Sequence, residues 1–134
     1  MADSILLVDA DANFRRALRV ALSLDGIRVG EATSLEDATR AMDEQPWSCA
    51  VVDLLLPFAE GPRVVELAAR RGIHVVACSA HRELLAQVES TAVVLLEKPF
   101  SPDCLLEGLA RRLGAPRNAP RQGPLATART RGDR

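Results

Sequence analysis

A single carboxylate interrupts an apolar run near the middle of the chain, where residues 50–57 read A-V-V-D-L-L-L-P. Burying an isolated carboxylate is costly, so a buried acid either takes up a proton or finds a partner of opposite charge. An ionised aspartate can also act as a nucleophile toward phosphorus, provided that a neighbouring cation lowers its pKa. Asp53 is therefore the first candidate for a chemical role.

Three further polar residues follow apolar runs in the same way. Asp9 follows S-I-L-L-V, Ser79 follows I-H-V-V-A-C, and Lys98 follows A-V-V-L-L-E. If these runs are strands of one open parallel sheet, their carboxyl ends lie at the same edge, where such sheets bind ligands. Two carboxylates, a hydroxyl and an ammonium would then share one crevice, and Lys98 would offset the charge of Asp53.

Five short apolar runs alternate with segments of helical periodicity. The predicted strands are Ser4–Asp9, Ile27–Ala32, Cys49–Asp53, Ile73–Cys78 and Ala92–Leu96. Four of them are nearly continuous in apolar character, as expected of parallel strands covered on both faces. The second carries two charged residues and is typical of an edge strand. The first predicted helix runs from about Asp11 to Leu24, and the last begins at Pro102 and ends at Gly114.

This alternation predicts an α/β fold, a doubly wound (βα)₅ sandwich around a five-stranded parallel sheet with right-handed crossovers. Residues 1–114 are expected to form this one domain. Residues 115–134 hold five arginines and one acid among prolines and glycines, without apolar periodicity. They are expected to form a disordered basic tail.

The composition is that of an ordinary globular protein, with 48% hydrophobic and 26% charged residues in a chain of 134. The amino-terminal segment lacks a positive region, and no apolar run approaches the roughly 18 residues of a membrane span. We therefore expect a cytoplasmic protein, whose three widely spaced cysteines are reduced core thiols. No helix-turn-helix or zinc-ligand pattern follows Gly114, so DNA binding is not expected.

The ordered set of strand-end residues resembles the receiver domain of bacterial two-component response regulators. The matching positions are Asp9, the D-x-x-x-P motif from Asp53 to Pro57, Ser79-Ala80 and Lys98-Pro99-Phe100, with Gly61 also in place. The resemblance covers about residues 4–114. It implies a flavodoxin-like, CheY-like sheet with the strand order 2-1-3-4-5.

The resemblance also implies a role for each residue. Asp53 would accept a phosphoryl group from a sensor histidine kinase or phosphotransfer protein, with Ser79 donating a hydrogen bond to that group and Lys98 pairing with it. The implied Mg²⁺ ligands are Asp9, Asp53 and the backbone carbonyl of Leu55, with Asp11 as a further candidate. Such a chain is a phosphoacceptor rather than an enzyme, and it signals to an unidentified downstream protein as a monomer or weak homodimer.

Two positions depart from the family pattern. The second acid that usually follows Asp9 is Ala10, which predicts weak Mg²⁺ binding and slow phosphorylation. Asp11 could substitute for it, or could instead cap the first helix. Leu95 stands where the family usually has an aromatic residue, three positions before the lysine. An output signal of this chain therefore cannot depend on an aromatic ring that swings inward.

Two alternative functions stay open. In a pseudo-receiver the chain would bind its partner constitutively and never be phosphorylated, as Ala10 and Leu95 would allow. The stretch from Asp9 to Asn13 also resembles the opening of haloacid-dehalogenase-type phosphatases, with Asp9 as nucleophile and Asp11 as general acid, although Asn13 departs from that motif.

Other polar residues have ordinary structural interpretations. His81, two residues past Ser79, is expected to start the fourth helix. Arg15 and Arg16 are expected to lie on a solvated face of the first helix.

Overall fold

Strands and helices alternate along the chain as the hydrophobic pattern predicts. This computed structural model describes residues 4–92, 94–113 and 129–130. The strands are β1 (Ser4–Val8), β2 (Arg28–Ala32), β3 (Cys49–Asp53), β4 (His74–Ser79), β5 (Val94–Glu97) and β6 (Arg129–Thr130). The helices are α1 (Ala12–Leu24), α2 (Leu35–Glu44), α3 (Gly61–Arg70), α4 (Arg82–Gln87) and α5 (Pro102–Leu113), with a 3₁₀ turn at Pro57–Ala59 before α3.

The strands form one sheet in the order β2-β1-β3-β4-β5-β6. The first five pair in parallel, which confirms the predicted fold and strand order. A sixth strand was not predicted: β6 pairs antiparallel with β5, with Arg129 opposite Leu95. It falls within the segment expected to be a disordered tail, and residues 115–128 and 131–134 of that segment lie outside the described part of the chain.

Side chains of each central strand alternate between two apolar layers, because successive residues of a strand point to opposite faces of the sheet. Leu6 and Val8 of β1 pack with the layer under α2, α3 and α4. Ile5 and Leu7 pack with the layer under α1 and α5. Every residue of β1 and β3 is buried, whereas β2 exposes Arg28 and Glu31 at the edge of the sheet. The predicted edge position of the second strand is thus confirmed.

The helix ends follow the local sequence. The Ser34 hydroxyl accepts a hydrogen bond from the backbone N–H of Asp37 and so caps α2. Gly26 and Gly72, just past α1 and α3, have φ values of 80° and 76°, a backbone region that favours glycine.

The three cysteines are buried, as expected for core thiols. Within the described ranges, no helix is both long and apolar enough to cross a membrane.

Candidate functional site

The carboxyl ends of β1, β3, β4 and β5 bring the four predicted site residues to one edge of the sheet. Asp53 and Ser79 are the last residues of β3 and β4, while Asp9 and Lys98 directly follow β1 and β5. Asp9 and Ser79 expose only 2% and 0% of their surface, and Asp53 is also buried. A backbone hydrogen bond joins the ends of β4 and β5, since the N–H of Lys98 donates to the carbonyl of Ser79 at 2.9 Å.

Asp53 is held by one backbone hydrogen bond and one ion pair. Its Oδ1 accepts the N–H of Leu55 at 3.1 Å, and its Oδ2 lies 3.6 Å from Nζ of Lys98. Burial raises the pKa of Asp53, the negative charge of Asp9 raises it further, and the Leu55 N–H and Lys98 only partly oppose this. Lys98 thus lowers the pKa of Asp53 as expected, but burial outweighs this effect and the net shift is upward.

Asp9 makes the shorter contact with the lysine. Its Oδ2 accepts from Nζ of Lys98 at 2.8 Å, and its Oδ1 accepts the N–H of Asp11 at 2.8 Å. Burial lowers the pKa of Lys98, but the hydrogen bond to Asp9 and the nearby negative charges outweigh burial and leave it raised. Lys98 is the only lysine in the chain. Both oxygens of Asp9 thus accept a hydrogen bond.

Ser79 keeps a donor available for a ligand. Its Oγ accepts the backbone N–H of His81 at 3.0 Å. Because the hydroxyl is the acceptor in this bond, its own O–H can still donate to another oxygen. His81 occupies the position just before α4 and makes no side-chain capping bond, in line with its expected place at a helix start.

Asp11 takes one of the two roles that the sequence left open. Its Oδ1 accepts the N–H groups of Asn13 and Phe14 at 3.0 and 3.2 Å and thereby caps α1. Ala10 is exposed and carries no oxygen donor at the place of the usual second acid. A metal-binding role for Asp11 stays a prediction.

The oxygen atoms at this edge suit a hard divalent cation that takes few of its ligands from the protein. Mg²⁺ prefers oxygen ligands and is commonly held by one or two carboxylates together with water. Asp9 and Asp53 supply two carboxylates that share a single ammonium, so the cluster keeps one net negative charge. In the described part of the chain no three His, Cys, Asp or Glu side chains are grouped as metal ligands.

Arg15 was wrongly expected to be solvated. Its side chain is only 16% exposed, because Nη1 donates to the carbonyl of Asp9 at 2.7 Å and Nε pairs with Glu31 at 2.8 Å. The guanidinium therefore joins the ends of β1 and β2 beside the crevice. No clear signal for this contact was present in the sequence, because Glu31 in an edge strand could equally have been solvated.

The comparisons with known proteins agree with this geometry. The family model described as the response regulator receiver domain matches residues 5–110. The transcriptional regulatory protein SrrA of Staphylococcus aureus is 30% identical over 106 residues, which cover 76% of this chain and 44% of SrrA. The chain thus spans less than half the length of this curated relative.

Solved structures resemble the fold. A CheY-like receiver domain protein of Methanospirillum hungatei gives a TM-score of 0.75 at 24% identity, covering 84% of this chain and 94% of that one. TrrA of Thermotoga maritima, in complex with Mg(2+)-BeF, gives 0.74 at 21% identity over 83% and 99% of the two chains. A Burkholderia pseudomallei response regulator with a phosphorylated aspartic acid and a calcium ion gives 0.74 at 20% identity over 80% and 66%.

The family match covers most of the chain, and the fold has the five parallel strands in the receiver order. Asp9, Asp53, Ser79 and Lys98 lie together at the carboxyl edge of the sheet, as the sequence predicted. The chain belongs to the response regulator receiver domain family of two-component signalling proteins.

Proposed function

We propose that Asp53 is the phosphoacceptor of this chain and that a histidine kinase or phosphotransfer protein is the donor. The observation that carries the proposal is the position of the Asp53 carboxylate, at the end of β3 with Oδ2 3.6 Å from the Lys98 ammonium. The buried Ser79 hydroxyl follows on the neighbouring strand. Phosphoryl transfer depends mainly on positioning and charge stabilisation, which these three side chains can supply.

Oδ2 of Asp53 is the oxygen that we expect to attack. Oδ1 is held by the N–H of Leu55, whereas Oδ2 faces the ammonium of Lys98. In the step, a bond forms between Oδ2 and phosphorus, and the bond between phosphorus and the histidine nitrogen of the donor breaks. The leaving nitrogen keeps the electron pair and takes up a proton.

Lys98 and Ser79 act on the oxygens of the transferred group. Lys98 places a positive charge beside the negative charge that spreads over these oxygens, and the Ser79 O–H donates a hydrogen bond to one of them. Phosphorylation adds about 1.5 to 2 negative charges to Asp53, so Lys98 gains a stronger partner than Asp9. A shift of the ammonium from Asp9 toward phosphorylated Asp53 is the conformational change that we expect.

Mg²⁺ would be held by Asp9, Asp53 and the backbone carbonyl of Leu55. When bound, the metal neutralises charge on the phosphoryl oxygens. Because Ala10 replaces the usual second acid, we expect weak binding. The TrrA complex with Mg(2+)-BeF and the phosphorylated Burkholderia regulator with calcium support a divalent cation at sites of this fold.

The output is proposed to pass through contact with a downstream protein. Leu95 is buried in β5, under the α4 side of the sheet, where the family usually has an aromatic residue. A signal that depends on a ring moving inward is therefore not available to this chain.

Chemical trapping tests the assignment of Asp53. After incubation with a phosphodonor and Mg²⁺, borohydride reduces an aspartyl phosphate to homoserine, and peptide mass spectrometry locates the modified residue. We expect homoserine at position 53 and unmodified aspartate at positions 9 and 11. Homoserine at position 9 with none at position 53 would instead support the phosphatase alternative.

A phosphorylation-independent pseudo-receiver is the second candidate. It is favoured by Ala10 and by the 2.8 Å contact between Lys98 and Asp9, which already gives the ammonium a partner. In that case Asp53→Asn would leave the cellular role of the chain intact. Loss of the role in Asp53→Asn, in a variant that is folded and expressed like the parent, would exclude it.

A further inference from the structure

The ring of Phe14 lies against the ammonium of Lys98. Nζ is 4.1 Å from the ring centroid, within the range of about 6 Å in which a cation is attracted to an aromatic face. Phe14 belongs to the first turn of α1, while Lys98 follows β5, so the contact joins two distant parts of the sequence.

Phe14 is itself held in place from two sides. Its ring meets that of Phe100 with centroids 5.5 Å apart and planes at 82°, an edge-to-face arrangement. Both rings pack against the apolar layer under α1 and α5. The backbone N–H of Phe14 donates to the capping carboxylate of Asp11. The ring therefore offers the lysine a fixed surface rather than a mobile one.

Lys98 needs such a surface because its side chain has several rotatable bonds and its ammonium has no preferred direction. The group touches three partners: Asp9 at 2.8 Å, Asp53 at 3.6 Å and the Phe14 ring at 4.1 Å. We propose that Phe14 is a positioning residue that holds the Lys98 ammonium within reach of both carboxylates and so speeds transfer of the phosphoryl group to Asp53. The second half of this proposal rests on the proposed function of Asp53.

If Phe14 only fills space, its substitution should affect Lys98 differently than if its ring attracts the ammonium. Changing the electronic character of the ring distinguishes these two roles. Phe14→Leu removes the aromatic face, Phe14→Tyr keeps it, and pentafluorophenylalanine at position 14 keeps a ring of similar shape with the charge distribution of its face reversed. Packing alone predicts that the fluorinated ring behaves like phenylalanine. Positioning through the charge predicts that it behaves like leucine.

The only lysine of the chain gives a direct readout. With ¹³C-labelled lysine, NMR relaxation reports the order parameter of the Lys98 Cε group without overlap from other residues. In the metal-free protein, we expect the order parameter to fall well below the parent value in the leucine and pentafluoro variants. Phe14→Tyr should keep the parent value. Phe58→Leu is the matched control, because Phe58 is 90% exposed.

Phosphorylation kinetics give the second readout. The initial rate of Asp53 labelling by acetyl phosphate should fall about two- to fivefold in the leucine and pentafluoro variants, and Phe14→Tyr should restore it. The same order parameter in all variants would overturn the proposal. A lower Lys98 order parameter with an unchanged rate of Asp53 labelling in the leucine and pentafluoro variants would also overturn it. If the parent chain takes no phosphoryl group, the proposed function fails, and the order parameters alone decide whether Phe14 holds Lys98.

Discussion

The ammonium nitrogen of Lys98 lies 2.8 Å from Oδ2 of Asp9, a residue 89 positions earlier in the chain. The proposed phosphoacceptor, Asp53, receives the longer contact of 3.6 Å. The cation of the site is therefore closest to Asp9, which is not the proposed phosphoacceptor. Burial and the charge of Asp9 raise the pKa of Asp53 despite this contact, and we expect Lys98 to become its closer partner on phosphorylation.

Asp53→Asn should stabilise the protein at neutral pH. Because burial and the charge of Asp9 raise the pKa of Asp53, the folded state binds the proton more tightly than the unfolded chain. Stability is consequently lost as pH rises from the ordinary aspartate range through the raised pKa. We expect the variant to have the higher Tm at neutral pH, in thermal unfolding followed by circular dichroism.

The same experiment across pH provides the control. The advantage of Asp53→Asn should shrink as pH falls below the ordinary aspartate pKa, because Asp53 of the parent is then protonated in both states. An advantage that is independent of pH, or a variant less stable than the parent at neutral pH, would contradict the assigned direction of the pKa.

Lys98→Met should destabilise the fold by about 3 kcal/mol, because it leaves two buried carboxylates without their shared cation. Urea unfolding at neutral pH measures this cost, and lowering the pH should reduce it as the carboxylates take up protons. Lys98→Arg keeps the positive charge and should recover most of the loss. Equal stability of the methionine and arginine variants would show that the charge does not hold these strand ends together.

Ala10→Asp should strengthen Mg²⁺ binding by about tenfold, because affinity for hard cations rises with the number of charged oxygen ligands. The residue is exposed, so the longer side chain can be accommodated. Isothermal titration calorimetry with Mg²⁺ measures the change. Ala10→Asn has nearly the same shape without the charge and should give a smaller gain.

Gly61→Ala should destabilise the fold by about 1 to 3 kcal/mol, since an added Cβ would lie 2.5 Å from the carbonyl oxygen of Leu54. The displaced backbone directly follows Asp53, so phosphorylation should also slow. Gly30→Ala is the matched comparison, because its Cβ would lie 2.4 Å from the Trp47 ring. Trp47 precedes the first residue of β3, so this clash lies at the end of the strand away from Asp53. It should destabilise the fold without slowing the phosphorylation of folded protein.

The sequence was sufficient to predict the five parallel strands and the position of the four site residues. Alternating apolar runs identified the strands, and polar residues at their ends identified the edge of the sheet that holds the candidate site. The net direction of the Asp53 pKa could not be predicted, because it depends on how deeply the carboxylate is buried. The contact of Phe14 with Lys98 joins α1 to the end of β5, and no local pattern in either segment indicates it.

β6 escaped prediction for a similar physical reason. Its two residues lack the alternation or β-branched run that marks a strand, and their pairing with β5 is seen only when the fold is known. The burial of Arg15 was also missed. An arginine on the polar side of an amphipathic helix has the same sequence pattern whether it is solvated or paired, and only the fold places Glu31 beside it.

Intact-mass spectrometry after incubation with acetyl phosphate tests the central claim most directly. The parent chain should gain one phosphoryl group in the presence of Mg²⁺ and lose the modification when the metal is chelated during labelling, and Asp53→Asn should gain none. A parent chain that stays unmodified at high Mg²⁺ while Ala10→Asp is labelled would show that the missing acid has abolished phosphorylation. A phosphoryl group retained in Asp53→Asn would contradict the assignment of Asp53 outright.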